Sequence, residues 1–127
     1  MTKVFVNQDN AAKRPDSHYS KVISKIMQDG VCPFCPEYLA KYHPHPTLAE
    51  TQHWLITKNA YPYGGTKHHF LLVHKQHIER FEDISTPAWG ELQKLINDTL
   101  TEHGIKGGAF FCRFGDTKYT GASVNHL

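Results

Sequence analysis

The chain has 127 residues, a formal net charge of +2 and 39% hydrophobic residues. That is the size and composition of one globular domain, which excludes a disordered or collagen-like chain, and no apolar run approaches the ~20 residues of a membrane span. The 14 Lys and Arg nearly balance the 12 Asp and Glu, so neither nucleic acid nor an anionic membrane is expected as a partner.

Residues 1–16 mix Asn, Asp, Lys, Arg and Pro with few apolar positions and read as an irregular N-terminal arm. From Ser17 to Gln28, Tyr19, Val22, Ile23, Ile26 and Met27 recur at helical spacing, with Asp16 or Ser17 as the cap and Gly30 as the stop. Pro36 to Tyr42 suits a short helix, and the prolines of His43-Pro44-His45-Pro46 exclude regular structure after it. Gln52–Lys58 reads as a strand, Asn59–Gly65 as a loop, and the apolar run His69–His74 as a central strand.

The clearest helix spans Pro87 to His103. Thr86 is its expected N-cap, Pro87 suits the first helical position, and Gly104 suits the site just past the end. Trp89, Leu92, Leu95, Ile96, Thr99, Leu100 and His103 form its apolar stripe. Ala109–Phe114 reads as a strand, and a last strand begins near Ala122 and is still running at Leu127. Loops too short for helical crossovers, except across the long helix, predict an α+β fold with an antiparallel sheet. One domain is expected over residues 17–127.

Three cysteines, an odd number, and no apolar leader segment at the N-terminus point to a reducing, cytoplasmic setting. Two of them form Cys32-Pro33-Phe34-Cys35. That spacing suits two thiolates on one tetrahedral metal, a redox pair at a helix N-terminus, or plain structural cysteines. A metal would need two more ligands, and ten histidines are available. His43 and His45, hemmed by prolines, read as an exposed turn. In the central strand His69, Leu71 and Val73 share one face and Phe70, Leu72 and His74 the other. Near the end, Gly121 and Ser123 suit either a hairpin turn or presentation of a backbone N–H and a hydroxyl to a phosphate oxygen.

Taken together, CPFC, HHFLLVHKQHI and GASVNHL, in that order over residues 31–127, resemble the histidine triad (HIT) superfamily. The CxxC and the NAYPY stretch look most like the branch nearer galactose-1-phosphate uridylyltransferase and dinucleoside polyphosphate phosphorylases. The resemblance implies a half-barrel of about five strands with one long helix and an N-terminal helix. It implies a structural zinc held by Cys32, Cys35, His69 and His126, and a nucleotide met by Asn59 at the ribose and by Gly121 and Ser123 at the phosphate. Ser123 would also assist the leaving group. His77 matches a Lys-x-His whose role stays open, and His74 stands where the family usually has Pro. Arg113 lies near a position where the family often has Asn; it would pair with a phosphate or sit at a solvated strand end.

The implied chemistry is nucleotidyl transfer, in which a histidine attacks the α-phosphorus and forms a nucleotidyl-histidine. The attacking histidine of the family lies two positions after the one matched by His126, beyond Leu127, so the last strand is expected to be cut short and this chain inactive by itself. Hydrolase, phosphorylase and transferase differ only in the second acceptor. The rival readings are a zinc-stabilised nucleotide-binding module without turnover and a CPFC thiol-disulfide oxidoreductase. A homodimer is a further expectation of the resemblance.

Overall fold

A computed structural model describes residues 4–14 and 17–127 of the chain. Its elements are α1 (Gln8–Ala12), α2 (Ser17–Asp29), α3 (Pro36–Tyr42), β1 (Thr47–Glu50), β2 (Trp54–Lys58), β3 (Phe70–His74) and α4 (Thr86–Glu102), with single 3-10 turns at Phe81–Asp83 and Thr117–Tyr119. The three strands form one antiparallel sheet in the order β1-β2-β3. The fold is α+β, as the alternation of elements requires.

The pleat of β2 divides the core in two. Trp54 and Ile56 face α4 and pack with Ala88, Leu92 and Leu95, closed by Ile78, Ile84 and Leu127. The Trp54 indole N–H donates to the Ala88 carbonyl at 2.8 Å, which satisfies its polar atom inside this apolar layer. Leu55 faces the opposite way, onto Leu39 of α3 and Val73 of β3. Register pairs Leu55 with Val73 and Ile56 with Leu72, so β3 has the same two faces the alternation predicts. A third cluster joins Val6 and Ala11 to Ile23 and Ile26 of α2.

Several expectations need correction. The N-terminal arm is not merely irregular: Asn7 caps α1 by accepting from the Asn10 N–H, and Asn10 and Ala11 are buried. The Asn10 carboxamide donates to the Thr117 and Ala122 carbonyls, both at 2.8 Å, so the arm is tied to the C-terminal segment. The Asp16 cap lies outside the described residues. Ser85, not Thr86, caps α4, because its hydroxyl is the one that reaches the Ala88 N–H, at 3.2 Å.

Three strands, not about five, make the sheet among the described residues. Thr47–Glu50, a stretch with no clear apolar alternation, is a strand because it pairs with β2. Ala109–Phe114 has no ladder partner, and Phe110 and Phe111 are 66% and 63% exposed. Apolar content alone does not make a strand where no neighbouring edge accepts it. The segment from Ala122 instead lies against the arm through a single Val6–Val124 bridge, with Asn7 N–H donating to Ser123 C=O and Asn125 N–H to Phe5 C=O.

Candidate metal centre and ligand cavity

Gly30 ends α2 in a left-handed conformation (φ 69°) and turns the chain into CPFC. Pro36 occupies the first turn of α3, and the Cys35 carbonyl accepts from Tyr38 and Leu39, both at 2.9 Å. The two thiols therefore sit on a loop fixed at both ends, with Cys32 buried. His77 follows β3. His126 is brought to it by Leu127, whose N–H donates to the Ile78 carbonyl and whose carbonyl accepts from the His74 N–H, both at 2.9 Å. One ligand atom from each of Cys32, Cys35, His77 and His126 lies within 4.8 Å of all the others.

Hydrogen bonds outside the group fix the imidazoles. His77 Nε2 lies 2.6 Å from the Glu79 carboxylate, and His126 Nε2 lies 2.6 Å from the His74 carbonyl. Both partners only accept, so each Nε2 carries a proton. Burial holds the His126 imidazole down at about 4, which keeps it neutral. Its Nδ1 lone pair then points inward, 3.3 Å from Cys32 Sγ and 3.1 Å from His77 Nδ1. His77 Nδ1 is 3.3 Å from Cys35 Sγ. Two sulfurs and two ring nitrogens converging on one point is a donor set that a cation satisfies. The two outward acceptors are the supports metal-bound histidines use.

The expected ligand set is corrected at one position: His69 is not in this group and His77 is. β3 explains why. His126 is clamped to the His74 end of the strand, and five residues of rise put His69 about 16 Å away at the other end. The His77-Ile78-Glu79 spacing is the signal that marks His77, because an extended i, i+2 pair shares one side and gives the imidazole its carboxylate.

His69 belongs to the far end of β3. There its Nδ1 accepts from the Tyr63 N–H at 3.0 Å, and its Nε2 lies 3.5 Å from Asn59 Nδ2. Asn59 Oδ1 accepts from the Tyr61 N–H at 2.7 Å. Arg14 donates to the Tyr61 carbonyl at 2.7 Å, and Arg113 to the Tyr63 hydroxyl at 3.0 Å. These residues line a half-open cavity of about 1230 Å³ that extends past Leu72, Ile96 and Leu100 to Ser123. Among the described residues lining it there is no Asp or Glu, whereas Arg14, Lys67, Lys106 and Arg113 all contribute.

Of the residues expected at a nucleotide, the structure brings Asn59, Arg113 and Ser123 to this cavity. Gly121 is not on its wall. Gly121 has φ 75°, and its N–H donates to the Thr117 carbonyl at 3.3 Å, so it shapes the turn before Ser123. His43, whose Nε2 lies 2.8 Å from the Thr57 hydroxyl, and His45 stand outside the Cys/His group.

A solved structure described as "Hit Like Protein" is 27% identical to this chain with a TM-score of 0.56, the match covering 66% of this chain and 80% of that one. No protein-family model and no curated protein sequence matches the chain. The fold is therefore HIT-like. The match does not extend to the galactose-1-phosphate uridylyltransferase branch suggested by CPFC and NAYPY. No helix among the described residues is long and apolar enough to cross a membrane.

Proposed function

We propose that the protein binds a nucleotide in the cavity beside Asn59, Arg113 and Ser123 and serves hydrolysis or transfer at the α-phosphate of a nucleoside phosphate derivative. The observation that carries this reading is a cavity with cationic and aromatic walls and no acidic residue among those described, on a HIT-like fold. Leu72, Ile96 and Leu100 offer an apolar wall for a base, and the Ser123 hydroxyl is a donor for a phosphate oxygen. In the chemistry the resemblance implies, a histidine attacks the phosphorus. The residues described here would bind and orient the nucleotide for it.

The Cys/His group fits a structural zinc. Two thiolates and two imidazoles make a closed tetrahedral set, which leaves no position open for water or substrate. Such a metal would cross-link the CPFC loop, the segment after β3 and the C-terminal segment. It would hold Ser123 in place without entering the reaction.

Calorimetric titration of the metal-loaded protein with AMP tests the binding claim. One equivalent should bind, and Ser123→Ala should weaken it about tenfold, the loss of one hydrogen bond to a charged group. Release of mononucleotide from a dinucleoside polyphosphate tests turnover. A folded, metal-loaded protein that binds neither ligand would refute the reading.

A further inference from the structure

Two hydrogen-bond donors face each other at the His69 end of the cavity. The Tyr63 backbone N–H can only donate, so His69 Nδ1, 3.0 Å away, is the acceptor and the ring proton of the neutral imidazole sits on Nε2. The Tyr61 backbone N–H fixes Asn59 in the same way: Oδ1 accepts at 2.7 Å, which leaves the NH₂ group as the end that meets His69. The two nitrogens lie 3.5 Å apart, and each carries hydrogen. Neither can accept from the other. One acceptor atom set beside the pair, about 2.9 Å from each nitrogen, satisfies both.

The charge around this pair selects the acceptor. Arg14 and Arg113 flank it, and Tyr63 stands between them: the Arg14 guanidinium lies 5.1 Å from the Tyr63 ring centroid, while Arg113 bonds the Tyr63 hydroxyl. Arg14 also lies 4.8 Å from the Tyr19 ring. Neither guanidinium is in an ion pair among the described residues. Burial first, then the nearness of Arg14 and Arg113, lowers the His69 imidazole from its ordinary value and keeps it the neutral donor described above. An uncharged hydroxyl would answer the two donors but not the two guanidinium charges, which meet no acidic residue among the described residues of the wall. An anionic oxygen answers both.

We infer that Asn59, His69, Arg14 and Arg113 form an anion-binding subsite that takes a phosphoryl group of the cavity's ligand. This rests on the reading that the cavity takes a nucleotide, and it changes one part of it: Asn59 meets phosphate oxygen and not the ribose. Arg14 comes from the N-terminal arm, so the arm is part of the binding site and not a lead-in to the domain. The planar forks of two arginines suit a phosphoryl group with several free oxygens.

The test is calorimetric titration of the metal-loaded protein with pyrophosphate, ADP and adenosine, for the wild type, Arg14→Gln, Arg113→Gln and Asn59→Ala. Pyrophosphate should bind and compete with ADP. Each substitution should weaken ADP and pyrophosphate at least tenfold and leave adenosine unchanged. Pyrophosphate as tight as ADP would mark the source as a free polyphosphate, and ADP the tighter would mark it as a nucleotide; the subsite stands in both cases. A second readout needs no variant: the ¹⁵Nε2–H resonance of His69 should shift on addition of pyrophosphate. If ADP and adenosine bind equally and Arg14→Gln changes neither, the subsite is wrong while nucleotide binding survives. Arg14-dependent binding of pyrophosphate without binding of ADP or adenosine would sink the nucleotide reading and keep the subsite.

Discussion

Glu79→Gln tests whether the Cys/His group holds a metal in the geometry described. Glu79 does not reach the ligand atoms. Its carboxylate lies 2.6 Å from His77 Nε2, on the far side of the ring from the Nδ1 that faces Cys35 Sγ at 3.3 Å. Glutamine keeps the length of the side chain and removes the charge that makes His77 a better ligand. Loss of such a support weakens metal binding about 10–100-fold, which is ~1.4–2.7 kcal/mol. At fixed saturating free metal, linkage passes that whole loss to the folded state. For a domain of this size it amounts to a fall in Tm of roughly 5–10 °C.

The assay is thermal unfolding in a zinc buffer, alongside competition with a chromogenic chelator. Wild-type protein should carry close to one equivalent of zinc, His77→Ala should lose it, and His69→Ala should keep it. With excess chelator the wild type and Glu79→Gln should unfold together, because their difference resides in the metal. Zinc retained by His77→Ala and lost by His69→Ala would refute the site, as would a Glu79→Gln protein with unchanged affinity.

Other elements give further expectations. Burial works against the Glu91 carboxylate, but hydrogen bonds from the His53 ring and backbone and from Thr51 outweigh it and lower the group from 4.5 to about 2. A depressed carboxylate stabilises the fold above its unfolded value and loses that contribution as pH falls from about 4.5 toward about 2. Urea titrations at pH 5 and pH 3 should therefore show a steeper acid loss for wild type than for Glu91→Gln, and parallel losses would contradict this. Leu92→Ala opens a hole between α4 and the Trp54–Ile56 face of β2 and should cost about 2–5 kcal/mol by urea unfolding. Ser85→Ala removes the hydroxyl that caps α4 and should cost about 1 kcal/mol, whereas Thr86→Ala should cost less than half of that.

Where a segment's partners are close in sequence, the chain states its structure. Pro36–Tyr42 and the long helix through Leu92 and Leu95 are legible because each has a proline in its first turn and the long helix carries its 3.6-residue apolar period inside the segment. The faces of β3 follow from alternation alone. Cys32 and Cys35 call for nitrogen partners, and His126 joins them only through the resemblance to the HIT superfamily. The exchange of His69 for His77 is hinted at by the His77-Ile78-Glu79 spacing but not decided by it. It depends on which end of β3 meets Leu127, a contact between residues far apart in the chain. Ala109–Phe114 fails for a related reason: its apolar content is local, but a ladder needs an edge elsewhere. Thr47–Glu50 is the converse, a strand made by its partner. The Arg14 contact with Tyr61 was out of reach because residues 1–16 carry no apolar period to announce that they pack at all.

β3 connects the two sites. Its His74 end carries the metal group through His77 and through the backbone bonds that hold Leu127, and its His69 end carries the donors at the cavity. The C-terminal segment returns along the molecule and belongs to both: Ser123 lines the cavity, and His126, nearby in the chain, is one of the four Cys/His residues that could hold a metal. Between them that segment is held by one bridge to Val6, the Asn7 and Asn125 backbone bonds, and the Asn10 carboxamide. These are few bonds and none belongs to a sheet, so without metal the segment has the features of a region that opens locally. Removing the metal should then weaken phosphate binding at Ser123 more than binding at the Arg14 and His69 subsite, which rests on β3 and the Asn59–Tyr63 loop. Pyrophosphate and AMP titrations before and after chelation separate the two. Equal losses would mean that the metal holds the whole fold and not the C-terminal segment in particular.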